Sequence, residues 1–215
     1  MDEESLMPMW IGLARLAMSA LTALAISCGQ AAARDDFSAR DLPRASYFFQ
    51  TEEGAEGETF HGTVEWSKYG APVPAIRALI RLPEKDAMVF LKIFPNNPGD
   101  SAPYIITIAV VGDLAASPIR RIPGIVGKAR ENFSGDMLAA CVFAWPRRDQ
   151  RHSFWFVLSG KDQETETKNL QLLRYGAWFD VPILFRDGSR ALLTIERGEA
   201  GAEVFDAVLQ AWQGS

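Results

Sequence analysis

Residues 178–197 read WFDVPILFRDGSRALLTIER. Two alternating runs flank Asp187-Gly188. Phe179, Val181, Ile183 and Phe185 share one parity, and Ala191, Leu193 and Ile195 share the matching parity of the second run. A period of two marks a strand with one buried face. Asp-Gly between such runs predicts a hairpin with a two-residue type I′ turn, because both residues tolerate positive φ. Pro182 has no N–H for a ladder, so it predicts a sheet margin or a bulge.

Working outward, the same period recurs along most of the chain. It predicts strands over Ser46–Thr51, Thr59–Ser67, Ala75–Leu82, Met88–Phe94, Tyr104–Val111, Met137–Trp145 and Ser153–Leu158. Ile76, Ala78, Ile80 and Leu82 share one face, with Arg77 and Arg81 on the other, as in an antiparallel sheet with one wet side. Tyr104–Val111 is apolar at nearly every position, which predicts a central strand covered on both faces. Residues 95–100, PNNPGD, form a turn cluster.

Two segments change to helical spacing. Gln163–Arg174 follows Asp162, a suitable N-cap, and offers Leu170, Leu172 and Leu173 to a core. Gly201–Trp212 carries Phe205, Val208, Leu209 and Trp212 as one apolar stripe, which predicts packing on the sheet. The expected fold is α+β and β-rich, an antiparallel β-sandwich or curved sheet with two packed helices. The expected organisation is a leader at 1–33, a linker at 34–44 and one domain at 45–215.

The leader reading rests on Leu16–Cys28, a run without charge preceded by Arg15. Its length suits the apolar core of a secretory signal, and Ala31-Ala32-Ala33 supplies an A-x-A cleavage pattern. Asp2, Glu3 and Glu4 make an acidic start that departs from this pattern, and initiation at Met7 or Met9 would remove it. An uncleaved helix over Met7–Gly29 and lipidation at Cys28 are the alternatives. Each implies a periplasmic or inner-membrane-anchored domain.

Composition narrows the chemistry. The chain has 215 residues and a formal net charge of −5, which does not suit general nucleic-acid binding. The two histidines, His61 and His152, have no second ligand at metal spacing, so neither metal nor cofactor is implied. The glycines of GIVGK at 124–128 are too close together for a phosphate loop, and Ala129 stands where Ser or Thr is needed. Cys141 lies among Ala139, Ala140, Val142 and Phe143, which predicts a small core residue. No catalytic constellation is visible.

The charge feature that stands out is basic. Arg120, Arg121, Lys128 and Arg130 lie in the long connection 112–136, and Arg147, Arg148 and Arg151 lie in a tight turn. Two such loops could converge as a site for an anionic lipid or an acidic partner, although solvated turn charge explains them more simply. Trp178 and Asp180 form a second candidate, a carboxylate in aromatic surroundings that could bind a ligand.

Several stretches resemble a family of proteobacterial exported or membrane-anchored proteins with no assigned activity. They are FHGTVEW at 60–66, AIRALIRLPE at 75–84, IPGIVGKARE at 122–131 and NLQLLRYGAWFDVPILFRDGSRALLTIERG at 169–198. The resemblance implies export and a single domain, and it carries no residue role. The expected function is a non-catalytic periplasmic protein that binds an envelope component or protein partner. One alternative is a small-ligand or lipid binder with a concave sheet lined by Trp66, Phe90, Trp155 and Trp178. A periplasmic hydrolase drawing on Asp180, His61 or serines is the other.

Overall fold

A computed structural model describes residues 42–52, 55–96, 102–144 and 153–213, with only the backbone for 142–144. The leader expectations, and Arg147, Arg148 and Arg151, lie outside the described residues. Within them, alternation becomes strand. An antiparallel meander runs through β1 (Arg44–Gln50), β2 (Glu58–Tyr69), β3 (Ala75–Leu82), β4 (Ala87–Pro95) and β5 (Tyr104–Val111). Three short strands follow, β6 (Ile119–Arg121), β7 (Val126–Lys128) and β8 (Asp136–Met137). Then come β9 (Ala140–Ala144), β10 (Ser153–Leu158), helix α1 (Gln163–Tyr175), β11 (Trp178–Phe185), β12 (Arg190–Glu196) and helix α2 (Gly198–Gln213).

All these strands join one 12-stranded antiparallel sheet, in the order β8-β7-β11-β12-β1-β2-β3-β4-β5-β10-β9. β6 also pairs with β11, further along the edge used by β7. The first and last strands of this order are β8 and β9, and only Leu138 and Ala139 separate them in the chain. Three Cα steps span at most about 11 Å, so the sheet must curl until its ends meet. The link bonds to both ends: Leu138 N–H donates to Ile125 O at 2.9 Å, and Ser159 N–H donates to Ala139 O at 2.8 Å. The strand expected over Met137–Trp145 is therefore two strands, because the chain changes partners at the link.

The inner face of the curl is the core. Tyr47, Val64, Ile76, Ile80, Leu82, Ile106, Phe156, Leu158, Val181 and Ile195 are fully buried there. Burial of each such side chain stabilises by about 1.5–3 kcal/mol. The expected stripe of α2 closes on this face. Phe205 packs edge-on to Trp66 with ring centroids 5.1 Å apart, and stacks on Phe179 at 5.9 Å. Gly201 permits this approach, since a Cβ there would lie 2.7 Å from the Trp66 ring. Trp212 stacks on Tyr104 and donates to Pro74 O at 2.7 Å.

Asp162 caps α1 as expected, accepting from Thr165 N–H at 2.7 Å. That bond holds its carboxyl below the ordinary value. Of the three leucines proposed for the core, Leu173 is fully buried, while Leu170 and Leu172 are partly buried against it. The unexpected inward residue is Asn169, only 1% exposed. Its Oδ1 accepts from Ala139 N–H, and its Nδ2 donates to the carbonyls of Ala139 and Ser159. One amide thereby satisfies the backbone at the link between the sheet ends.

The structure corrects several expectations. The turn between β11 and β12 runs over 186–189. Gly188 alone in it has positive φ, +92°, and its N–H donates to Phe185 O at 3.3 Å. Asp187 instead accepts from the N–H and hydroxyl of Ser189, which makes a local side-chain turn and lowers its carboxyl. Pro182 lies where neither β6 nor β7 pairs with β11, so its missing donor falls at an interruption. The connection 112–136 contributes β6, β7 and β8, and sends Leu114, Ile122 and Ile125 into the core. Cys141 is exposed, not buried, because it shares the outward parity of Val157 across the ladder.

Candidate functional site

The outer face of the curl divides into two halves of different chemistry. The more polar half spans β7, β11, β12, β1 and β2, and still turns Pro182, Leu184, Leu192 and the 38% exposed Phe48 outward. Cross-strand register puts Asp180, Thr194, Ser46 and His61 in one row. Asp180 Oδ1 accepts from the Thr194 hydroxyl at 2.8 Å, and Asp180 Oδ2 lies 2.7 Å from Lys128 Nζ. Lys128 Nζ also donates to the Glu131 carbonyl, which ties down the loop after β7. Beside them the Arg44 guanidinium covers the Trp178 ring at 5.3 Å and bonds to Glu196.

This geometry redistributes the residues singled out in the sequence. Lys128 is 7% exposed and committed to Asp180, so it is not part of a basic surface. Arg120 and Arg121 are exposed on β6, and Arg130 is exposed with its guanidinium over Phe133. Arg121 pairs opposite Leu184 and Lys128 opposite Trp178, at separate ends of β11. Six residues of strand put these positions about 20 Å apart. The two ends of the connection therefore do not converge on one patch. Trp178 is buried under Arg44, and Asp180 faces an ion pair rather than a ligand cavity.

The polar row does bring His61 beside Ser46, yet on an open sheet face. Asp180 and His61 are three strand spacings apart, about 14 Å. A nucleophile, base and orienting carboxylate must each be in hydrogen-bond reach of the next, and this row does not provide that. Among the described residues no group of three His, Cys, Asp or Glu could hold a metal ion. A groove of about 820 Å³ runs between α1 and the β7–β8 pair, lined by residues such as Asp136, Thr167, Lys168, Gln171 and Tyr175. A Lys168–Asp136 ion pair of 3.5 Å joins its two walls. Its lining holds neither His nor Cys.

The other half of the outer face is apolar. It is built from β4, β5 and β10, whose inward residues fill the core. Register aligns Phe90 with Ala109 and Ser153, Lys92 with Thr107 and Trp155, and Phe94 with Ile105 and Val157. Met88 stands opposite Val111, which is 51% exposed. Phe90, Phe94, Trp155 and Val157 are half-buried, and Ile105 is covered by its neighbours. Phe94 and Trp155 meet edge to face at 6.3 Å. β5 is paired on both edges, by β4 and β10, but it lies near one end of the strand order, and among the described residues no element covers this outer side.

No family model, curated protein or solved structure matches this chain.

The apolar outer face was only half visible in the sequence. Phe90 and Trp155, expected in a concave lining, point outward. Of the same proposed lining, Trp66 is in the core against Phe205. The available signal was Tyr104–Val111 itself, apolar on both parities beside a β4 that carries Phe90 and Phe94 on its outward parity.

Proposed function

We propose that this domain is a non-catalytic docking protein of the cell envelope, and that its working surface is the outer face of β4, β5 and β10. The uncovered apolar face carries this reading. Strands that are apolar on both sides are ordinarily covered on both sides. Large contiguous apolar surface on a folded domain marks interaction sites. The other half of the same sheet supplies a partial contrast: Asp180 there is paired with Lys128 and Thr194, although Pro182, Leu192 and Phe48 form an apolar row beside them. The resemblance to exported proteins and the apolar run Leu16–Cys28 support the envelope setting.

The filled inner face speaks against a ligand enclosed by the curl. The spread of Asp180, Ser46 and His61 on an open surface speaks against a hydrolase.

The test is site-specific photo-crosslinking in cells that make the full chain. A photoreactive residue replacing Trp155 should capture a bound molecule, whereas one replacing His61 on the polar half should not. Equal capture at both positions, or capture at neither, would overturn the assignment of the apolar face.

A further inference from the structure

The uncovered face also carries a charge pattern that bears on what it contacts. Lys92 lies on the outward parity of β4 between Phe90 and Phe94, so a cation sits inside the apolar field. Arg77 is its register neighbour on β3. Both reach over one exposed ring: Lys92 Nζ lies 4.3 Å from the Tyr69 centroid, and the Arg77 guanidinium lies 5.4 Å from it. Tyr69 is 48% exposed. Among the described residues no carboxylate pairs with Lys92 or Arg77. The next cation along β3, Arg81, has Glu65 at 3.9 Å. Arg77 Nε–H donates to Ser67 Oγ at 3.1 Å, a neutral partner that leaves its charge uncompensated, on a chain whose formal net charge is −5.

We infer that the docking partner of this face is an anionic phospholipid bilayer, an inference that rests on the docking reading above. Three properties fit a bilayer surface. Aromatic rings with a polar edge, here Trp155 and Tyr69, favour the headgroup level. Lysine can bury its methylenes among apolar groups while its ammonium reaches the phosphates. The face also belongs to interior strands: β4 pairs with β3 and β5, β5 with β4 and β10, and β10 with β5 and β9. Its ladder groups are therefore bonded on both edges, which contact with hydrocarbon requires. A second copy laid face to face would instead bring Lys92 and Arg77 of one chain towards those of the other.

The experiment uses the full chain reconstituted into vesicles, with Cys28 and Cys141 replaced by Ser. An environment-sensitive fluorophore is attached at Val111→Cys, or at His61→Cys on the polar half. In vesicles of equal parts phosphatidylglycerol and phosphatidylcholine, the Val111 probe should shift to the blue and be quenched by brominated acyl chains. The His61 probe should remain in water. In phosphatidylcholine alone both should remain in water. Each cation near an anionic surface is worth about a fivefold change in partitioning. Lys92→Glu with Arg77→Glu should therefore release the Val111 probe, even where the leader holds the chain on the vesicle.

A Val111 probe that stays wet on anionic vesicles would overturn the lipid assignment. If Trp155 photo-crosslinking in cells then captured a protein, or a second copy, the docking reading would stand without it. If it captured nothing, both would fall. An unchanged melting temperature in the Lys92→Glu, Arg77→Glu variant would show that release is not unfolding.

Discussion

Asn169 and Lys128 are two polar side chains whose removal should be felt strongly, and for different reasons. Asn169 satisfies one N–H and two carbonyls at the link between sheet ends. Leaving a buried polar group unpaired costs about 1–3 kcal/mol. Asn169→Leu should therefore lower unfolding free energy by about 2–4 kcal/mol in a urea titration. Lys128 shields a poorly exposed carboxylate. Lys128→Met should cost about 3–5 kcal/mol, because Asp180 stays behind without its cation. Lys128→Met combined with Asp180→Leu should recover much of that loss. If the double variant is no better than the single one, the pair is not the source of the effect. The sequence marked Lys128 and Asp180 as functional candidates but could not pair them. Lys128 lies far from Asp180 along the chain, and only the β7–β11 register joins them.

At the scale of elements, local rules reached further. Alternation placed the strands and stripes placed the helices, because both periods are imposed by backbone geometry and a one-sided core. Capping was legible too. Asp162 has its carboxyl lowered by the Thr165 N–H bond. A lowered folded value means that the contribution is present above the unfolded value, near pH 4, and fades as pH falls through the folded one. Asp162→Asn keeps an acceptor that does not titrate, so the acid-side loss of α1 stability below pH 4 should be smaller in that variant. Circular dichroism across pH 2–5 checks it. Turn chemistry was less legible. Asp-Gly suggested two residues of positive φ, yet Asp187 preferred to bond Ser189. Gly188 alone holds the left-handed position, and Gly188→Ala should cost about 1–2 kcal/mol, read as a lower thermal midpoint. The face that β5 turns outward was hidden for a related reason. Periodicity reports that a side is apolar, not what covers it.

At the largest scale, the described domain is a sheet rolled up by its own connectivity. Sequence alone supplied the fold class, but not the curl, because curling depends on which strands occupy the two ends. Those ends are held by two linking residues and one side-chain amide, not by a continuous ladder. Native-state hydrogen exchange should therefore show β8 and β9 opening at lower free energy than β2, β3 and β4. Equal protection across all of them would contradict this ranking.

The ladder between β1 and β12 has a consequence in time. Ala45 pairs with Ile195, and Gln50 with Arg190. The first strand of the domain thus waits for nearly the last before its second edge is occupied. Loop closure over so long an interval is slow relative to local pairing. A ribosome must release the chain through β12 before the roll can be completed. Until then β1 keeps one edge unpaired, an open template for any other extended segment.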